Sequence, residues 1–182
     1  MAPSGTDLRL AGVRDVPELQ DLIGLSVRAL SAGIYTPAQI EAALVHVFGV
    51  DSQLVADGTY YVIEDAGTLV AAGGWSSRQR LYGGDQARGE PDPTLDPATT
   101  PARIRAFFVH PGWIRRGLAR WIYQACQGAA KARGFRAFDV VATLPGEPLY
   151  RALGFAPVET ISIALPGDLV LPCVRMRCPI DA

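Results

Sequence analysis

The sequence predicts an α/β fold: a single domain over residues 1–182, with a mixed central sheet and helices on both faces. Three observations carry that expectation. Stretches of helical period alternate with β-branched and aromatic stretches along most of the chain. Two pairs of strands follow each other directly, "TYYVIED" with "TLVAAGGWSS" and "FAPVETISIAL" with "LVLPCVRMRC". Phe107, Phe108 and Val109 form a continuous apolar run, as a strand covered on both faces does. The element order reads β-α-α-β-β-β-α-β-α-β-β, with no internal repeat.

Each element has a local reason. "DLRLAGV" is a first strand, and Asp15 after it is a candidate helix cap. Pro17 falls in the first turn, where proline is tolerated, and Val16, Leu19, Ile23, Val27 and Leu30 then recur at helical spacing. Thr36-Pro37 opens a second helix with Ile40, Leu44 and Val47 on its apolar stripe. The next two strands turn through Ala66-Gly67 and make a hairpin. Arg78 to Ala102 is rich in Gly, Pro and Asp and has no apolar period, so it reads as a long loop. "RIRAFFVHP" is a strand that turns through Pro111-Gly112 into a helix with Leu118, Ile122, Ala125 and Ala129 on its buried face, ended by Gly134. "FRAFDVVAT" is a strand, "GEPLYRAL" a short helix ending at Gly154, and the last two strands close the chain.

Composition excludes several functions. A formal net charge of −1 removes the broad basic field that nucleic-acid binding needs. Two histidines and three scattered cysteines offer no metal-ligand spacing. No apolar run approaches the roughly 20 residues of a membrane span. The N-terminus "MAPSGTDLRL" lacks a basic-then-apolar export signal. Cys126, Cys173 and Cys178, odd in number and without CxxC spacing, read as reduced thiols of a cytoplasmic protein.

"HPGWIRRGLARWIYQ" poses the functional question. Arg115 and Arg116 fall at what reads as the first turn of a helix, where the helix dipole is already positive. An anion there resolves the conflict. Gly117 has no side chain and Ala119 almost none, so backbone amides at the helix start are open to a phosphate, with Arg115, Arg116 and Arg120 at the rim. A solvated basic helix start is the alternative reading of the hexamer taken alone. Neither GxxxxGK[ST] nor GxGxxG occurs.

"VHPGWIRRGLA" resembles the coenzyme A loop of the GCN5-related N-acetyltransferases, whose pattern is V-x-P followed by [Q/R]-x-x-G-x-[G/A]. Val109 and Pro111 match the lead-in, and Gly117 and Ala119 the last fixed positions. The sequence departs at Ile114, where the family has Gln or Arg, so that side-chain contact is not carried over, whereas the backbone cradle is. "PLYRALGFAPVE" is similar to the family's later motif of a tyrosine on a short helix before a Gly-Phe. With the element order, the resemblance spans roughly Leu8 to Phe155. It implies acetyl-CoA as co-substrate and no metal. It further implies backbone pairing of the pantetheine arm with a splayed strand at Phe107, Phe108 and Val109, and a pyrophosphate held over Ile114, Arg115, Arg116, Gly117, Leu118, Ala119 and Arg120. Tyr150 takes the place of the general acid. The acceptor is a small-molecule or peptide amine, and a homodimer is a family-level expectation.

The chemistry independently asks for an acid beside the leaving thiolate, and a phenol suits a thiol. A backbone N–H near Phe107 is the candidate oxyanion donor. The strand "RIRAFFVH" carries no acid, so the base is open between a water chain, Glu64 and an acid of the long loop. That loop sets Asp85, Glu90, Asp92 and Asp96 against Arg78, Arg80 and Arg88, and reads as a solvated excursion rather than a lid. Gly73, Gly74 and Trp75 fit either an acceptor pocket or close backbone packing, and Tyr35 either the acceptor mouth or ordinary packing. His110 and His46 read as non-catalytic. A non-catalytic acyl-CoA sensor and a nucleotide-phosphate binder are the competing functions.

Overall fold

The computed structural model describes residues 5–87, 89 and 91–180. Arg88 and Glu90 of the long loop, and the first four residues of the stretch read for an export signal, lie outside the described residues. Seven strands make one mixed sheet in the order β1-β2-β3-β4-β5-β7-β6. They are β1 (Thr6–Leu10), β2 (Tyr60–Asp65), β3 (Thr68–Ser76), β4 (Ala102–Val109), β5 (Ala137–Thr143), β6 (Ala156–Leu165) and β7 (Leu169–Pro179). The helices are α1 (Val16–Ser31), α2 (Pro37–His46), α3 (Ser52–Ala56), α4 (Leu118–Ala132) and α5 (Glu147–Ala152). The predicted order holds, with α3 added. Five residues are too few for a hydrophobic period, and α3 rests on its Asp51 cap, whose carboxylate accepts from Gln53 N.

Helices cover both faces because each presents an apolar stripe. α4 buries Leu118, Ile122, Cys126 and Ala130 at four-residue steps against Ile104, Phe138 and Met176. α1 and α2 bury Leu19, Ile23, Ile40 and Ala43 against Val62 and Leu171 on the other face. Thr36 and Gln39 form a reciprocal capping box at the start of α2. Asp15 does not cap α1, contrary to expectation. Its carboxylate faces backward, accepting from Gly12 N at 2.7 Å and from Arg9 at 2.8 and 2.9 Å.

All strand pairs are antiparallel except β4–β5, which is parallel and pairs only at Ala102↔Phe138 and Arg103↔Asp139. Beyond Arg103 the two strands part. β4 is also bent: Ala106 has φ 55°, and its register against β3 shifts between Ala72 and Gly74. The Tyr60 hydroxyl donates to the Ala106 carbonyl at 3.3 Å and holds that bend. The bulge and the parting strands make room for the site.

Candidate active site

A cavity of about 780 Å³ opens where β4 and β5 diverge. Phe107, Phe108 and Val109 line one wall, and Val140, Val141 and Thr143 the other. The turn before α4 closes one end with Ile114, Arg115, Gly117, Ala119 and Arg120. Leu30, Ile34, Phe48, Leu81 and Tyr82 line the cavity as well, as does Tyr150 of α5.

The turn is built locally. Pro111–Trp113 form a 3-10 turn capped by His110, whose Nδ1 accepts from Gly112 N at 3.0 Å. His110 is a capping residue and does not line the cavity. Arg115 (φ 62°) and Gly117 (φ 82°) then take left-handed conformations. Arg115 and Arg116 therefore precede α4 instead of forming its first turn, which begins at Leu118. No side chain caps that helix start, so the first-turn amides of Leu118, Ala119 and Arg120 have no acceptor within the helix. A Cβ on Gly117 would meet nothing within 4 Å, so the space in front of the helix start is open.

Two predicted binding residues place their side chains elsewhere. Arg116 stacks on the Trp113 ring, with its guanidinium carbon 4.5 Å from the ring centre. Leu118 is 2% exposed and packs in the core. Arg115 and Arg120 line the cavity, and Arg120 also donates to the Ala152 carbonyl at 3.0 Å, tying α4 to α5. Of the three predicted backbone positions on β4, Val109 has its N–H engaged by Ser26 Oγ at 3.2 Å.

Tyr150 stands edge-on to Phe107, with ring centres 6.3 Å apart, and to Phe155 at 5.5 Å. Burial pushes its phenol well above the ordinary value, so it carries its proton throughout the neutral range. Gly73 is what seats Phe107: a Cβ there would meet the ring at 2.7 Å. Gly74 meets the Thr59 carbonyl at 2.6 Å in the same way. The two glycines thus serve close packing, and they lie outside the cavity lining. Tyr35 is likewise not at the acceptor mouth. Its hydroxyl donates to the Pro172 carbonyl at 2.5 Å and accepts from Leu144 N at 2.9 Å, a clasp between the end of β5 and β7.

Glu64 is not available as a base. It is held by Arg9 at 2.9 Å on β2, away from the cavity lining. The long loop is not a solvated excursion either. Arg78 pairs with Asp57 at 2.7 Å, Asp92 accepts from Arg80 N, and Asp85 accepts from Ser52 N at 3.0 Å. Pinned in this way, the loop delivers Leu81 to Gly84 to the cavity wall. The sequence reading missed Arg105, which is 4% exposed beside that wall and binds Asp51 at 2.7 Å. The alternation Arg103-Ile104-Arg105 was a visible sign of a charged strand face. Among the described residues, no acidic side chain or imidazole lines the cavity, and no cluster of three or more His, Cys, Asp or Glu could hold a metal. No helix among them is long and apolar enough to cross a membrane.

The family profile of the acetyltransferase (GNAT) family matches residues 32–155, about two thirds of the chain. The chain belongs to the GNAT family. Solved structures share its fold at low identity. A GCN5-related N-acetyltransferase from Rhodopseudomonas palustris is 19% identical with a TM-score of 0.68, covering 98% of both chains. The PaiA N-acetyltransferase of Thermoplasma acidophilum, in complex with coenzyme A, is 11% identical with a TM-score of 0.65, over 96% of this chain and 98% of that one. An N-acetyltransferase from Staphylococcus aureus is 14% identical with a TM-score of 0.63, over 98% and 100%. None of the curated proteins matches the chain. In this GNAT chain, the motif at Gly117 and the motif at Tyr150 meet across one cavity although 33 positions separate them.

Proposed function

We propose that this GNAT chain transfers the acetyl group of acetyl-CoA to an amine by direct attack in a ternary complex. The observation that carries the reading is the uncapped start of α4, open at Gly117 and lining the cavity that Tyr150 borders. The residues present fit the cofactor. Three first-turn amides and the positive end of a 15-residue helix suit a diphosphate, and Arg115 and Arg120 add charge-assisted contacts. The gap between β4 and β5 suits an extended arm that pairs with β4 as a strand would. The PaiA structure with coenzyme A and an agmatine N-acetyltransferase of the same fold (15% identity, TM-score 0.62) support the assignment.

Bound acetyl-CoA supplies a thioester carbonyl; the chain's own groups do the rest. The amides of Leu118 to Arg120 bind the diphosphate. Ala106 and Phe107 lie opposite the single residue Gly73 at the bulge, so ladder pairing lapses there and the Phe107 N–H serves the developing oxyanion. Tyr150 Oη holds a proton for the departing sulfur. A second reading, a non-catalytic acyl-CoA sensor, draws on the absence of an acid or imidazole among the described cavity residues. Thiol release from acetyl-CoA over an amine panel, compared with Tyr150→Phe, separates the two. Transfer expects turnover that falls about a hundredfold or more in the variant. Coenzyme A uptake with no thiol release in either protein supports the sensor.

A further inference from the structure

One apolar part of the cavity wall bears on the class of amine, an argument that rests on the transferase reading above. That part comprises Leu30 and Ile34 of α1 and its C-terminal turn, Phe48 after α2, Leu81 and Tyr82 of the long loop. Ile34 is 52% exposed and Tyr82 37% exposed, although large apolar side chains are ordinarily covered. Both line the cavity, so an apolar body bound there would cover them. Phe48 meets Phe108 edge-on at 6.4 Å, giving that wall an aromatic floor.

The charges beside this wall are committed to one another and leave no carboxylate for an ammonium group. Arg105 and Arg80 approach Asp51 at 2.7 and 3.4 Å, and Arg80 also lies 3.8 Å from Asp92, so two guanidinium groups are balanced by two carboxylates. Arg105 also donates to the carbonyls of Arg80 and Gly83, which fixes it under the loop. A polyamine would find no carboxylate in the described cavity lining to pair with its ammonium groups. No described side chain lining the cavity is a carboxylate or an imidazole, so the chain presents no group there to take a proton from the incoming nitrogen. At pH 7.4 an alkylamine with a pKa of about 10.4 is unprotonated in roughly one molecule per thousand. A nitrogen attached to an aromatic ring carries its lone pair free at that pH.

We propose that the acceptor is an aromatic amine of the aniline class, bound with its ring on the Ile34–Phe48–Tyr82 wall. The nitrogen lone pair forms the bond to the thioester carbonyl carbon and the carbon–sulfur bond breaks, its electron pair passing to sulfur. Sulfur takes the Tyr150 proton, the nitrogen releases one proton to water, and water restores the phenol. The products are an N-aryl acetamide and free coenzyme A.

The test is thiol release from acetyl-CoA with 4-ethylaniline, 2-phenylethylamine and spermidine, together with calorimetric titration of coenzyme A. A thermal-shift titration of 4-ethylaniline in the presence of coenzyme A gives a readout apart from turnover. The expected kcat/KM for 4-ethylaniline at pH 7 exceeds that for 2-phenylethylamine tenfold or more and is flat from pH 6 to 9, whereas the alkylamine rate climbs with pH. Spermidine is not turned over. Ile34→Glu, at an exposed position, raises the KM for 4-ethylaniline at least fivefold and leaves the KM for acetyl-CoA unchanged. Coenzyme A uptake with spermidine preferred, or with no aniline turnover and no aniline-induced thermal shift, overturns this inference and leaves the cofactor reading standing. Absence of coenzyme A uptake overturns both.

Discussion

Gly73 on β3 lies directly behind the Phe107 ring, and replacing it with alanine tests the link between sheet packing and the site. The new Cβ would stand 2.7 Å from ring Cδ2, 2.8 Å from Cε2 and 2.9 Å from Cγ. Carbon atoms ordinarily approach to about 3.5–4 Å, so the ring must move by roughly an ångström. Its neighbour is Tyr150, with the ring centre 6.3 Å away, and its open side is the cavity. Gly73 does not have a left-handed φ, so alanine itself would stabilise by about 0.4–1 kcal/mol through the unfolded chain. Overpacking opposes this with about 1–3 kcal/mol, and three ring carbons in contact make it the larger effect. The expected net loss is about 1–2 kcal/mol, read as a lower urea midpoint at unchanged slope. Affinity for coenzyme A falls with it. In a Phe107→Ala background the clash is gone, so Gly73→Ala becomes neutral or stabilising. Equal destabilisation in both backgrounds, or wild-type stability of the single variant, would refute the reasoning.

Asp51→Ala leaves the Arg105 guanidinium, 2% exposed, with carbonyl partners alone, and is expected to cost about 3–5 kcal/mol in thermal or urea unfolding. A loss under 1 kcal/mol would show that the pair does not brace the loop. The Arg9 hydrogen bonds, with help from Gly12 N–H, hold the Asp15 carboxyl below its ordinary value of about 3.9. Its stabilisation is therefore complete above that value and fades as pH falls through the lower folded value. Asp15→Asn should accordingly be clearly less stable than wild type at pH 7, with the difference shrinking as pH falls below the ordinary carboxyl value. A pH-independent difference would argue against the linkage.

What was legible in the sequence was local. The strand-turn-helix at residues 103–132 was readable because Pro111, Gly117 and the four-step apolar stripe of α4 act within a few residues of one another. The Gly117 and Tyr150 motifs were readable for the same reason, although their shared cavity required the fold. What escaped depends on distant partners. Arg105 and Asp51 are 54 positions apart, and the loop charges find their partners in α3 and its flanks. The bulge at Ala106 has no signature, since alanine rarely takes a positive φ and only the sheet around it enforces one. Asp15 was misread because its residue type suits a cap, whereas Arg9 six positions earlier outcompetes the helix for it.

The central claim is that main-chain amides after Gly117 grip the diphosphate of coenzyme A. Calorimetric titration of coenzyme A into wild type and Gly117→Asp tests it most directly. Nothing lies within 4 Å of the added Cβ, and Asp tolerates a left-handed φ better than most residues, so the variant should fold with a melting temperature within a few degrees of wild type. Its carboxylate would occupy the anion position. The expected result is one-to-one uptake by wild type, weakened about a hundredfold or more in the variant; no uptake by wild type, or equal affinity in the two proteins, would contradict the account.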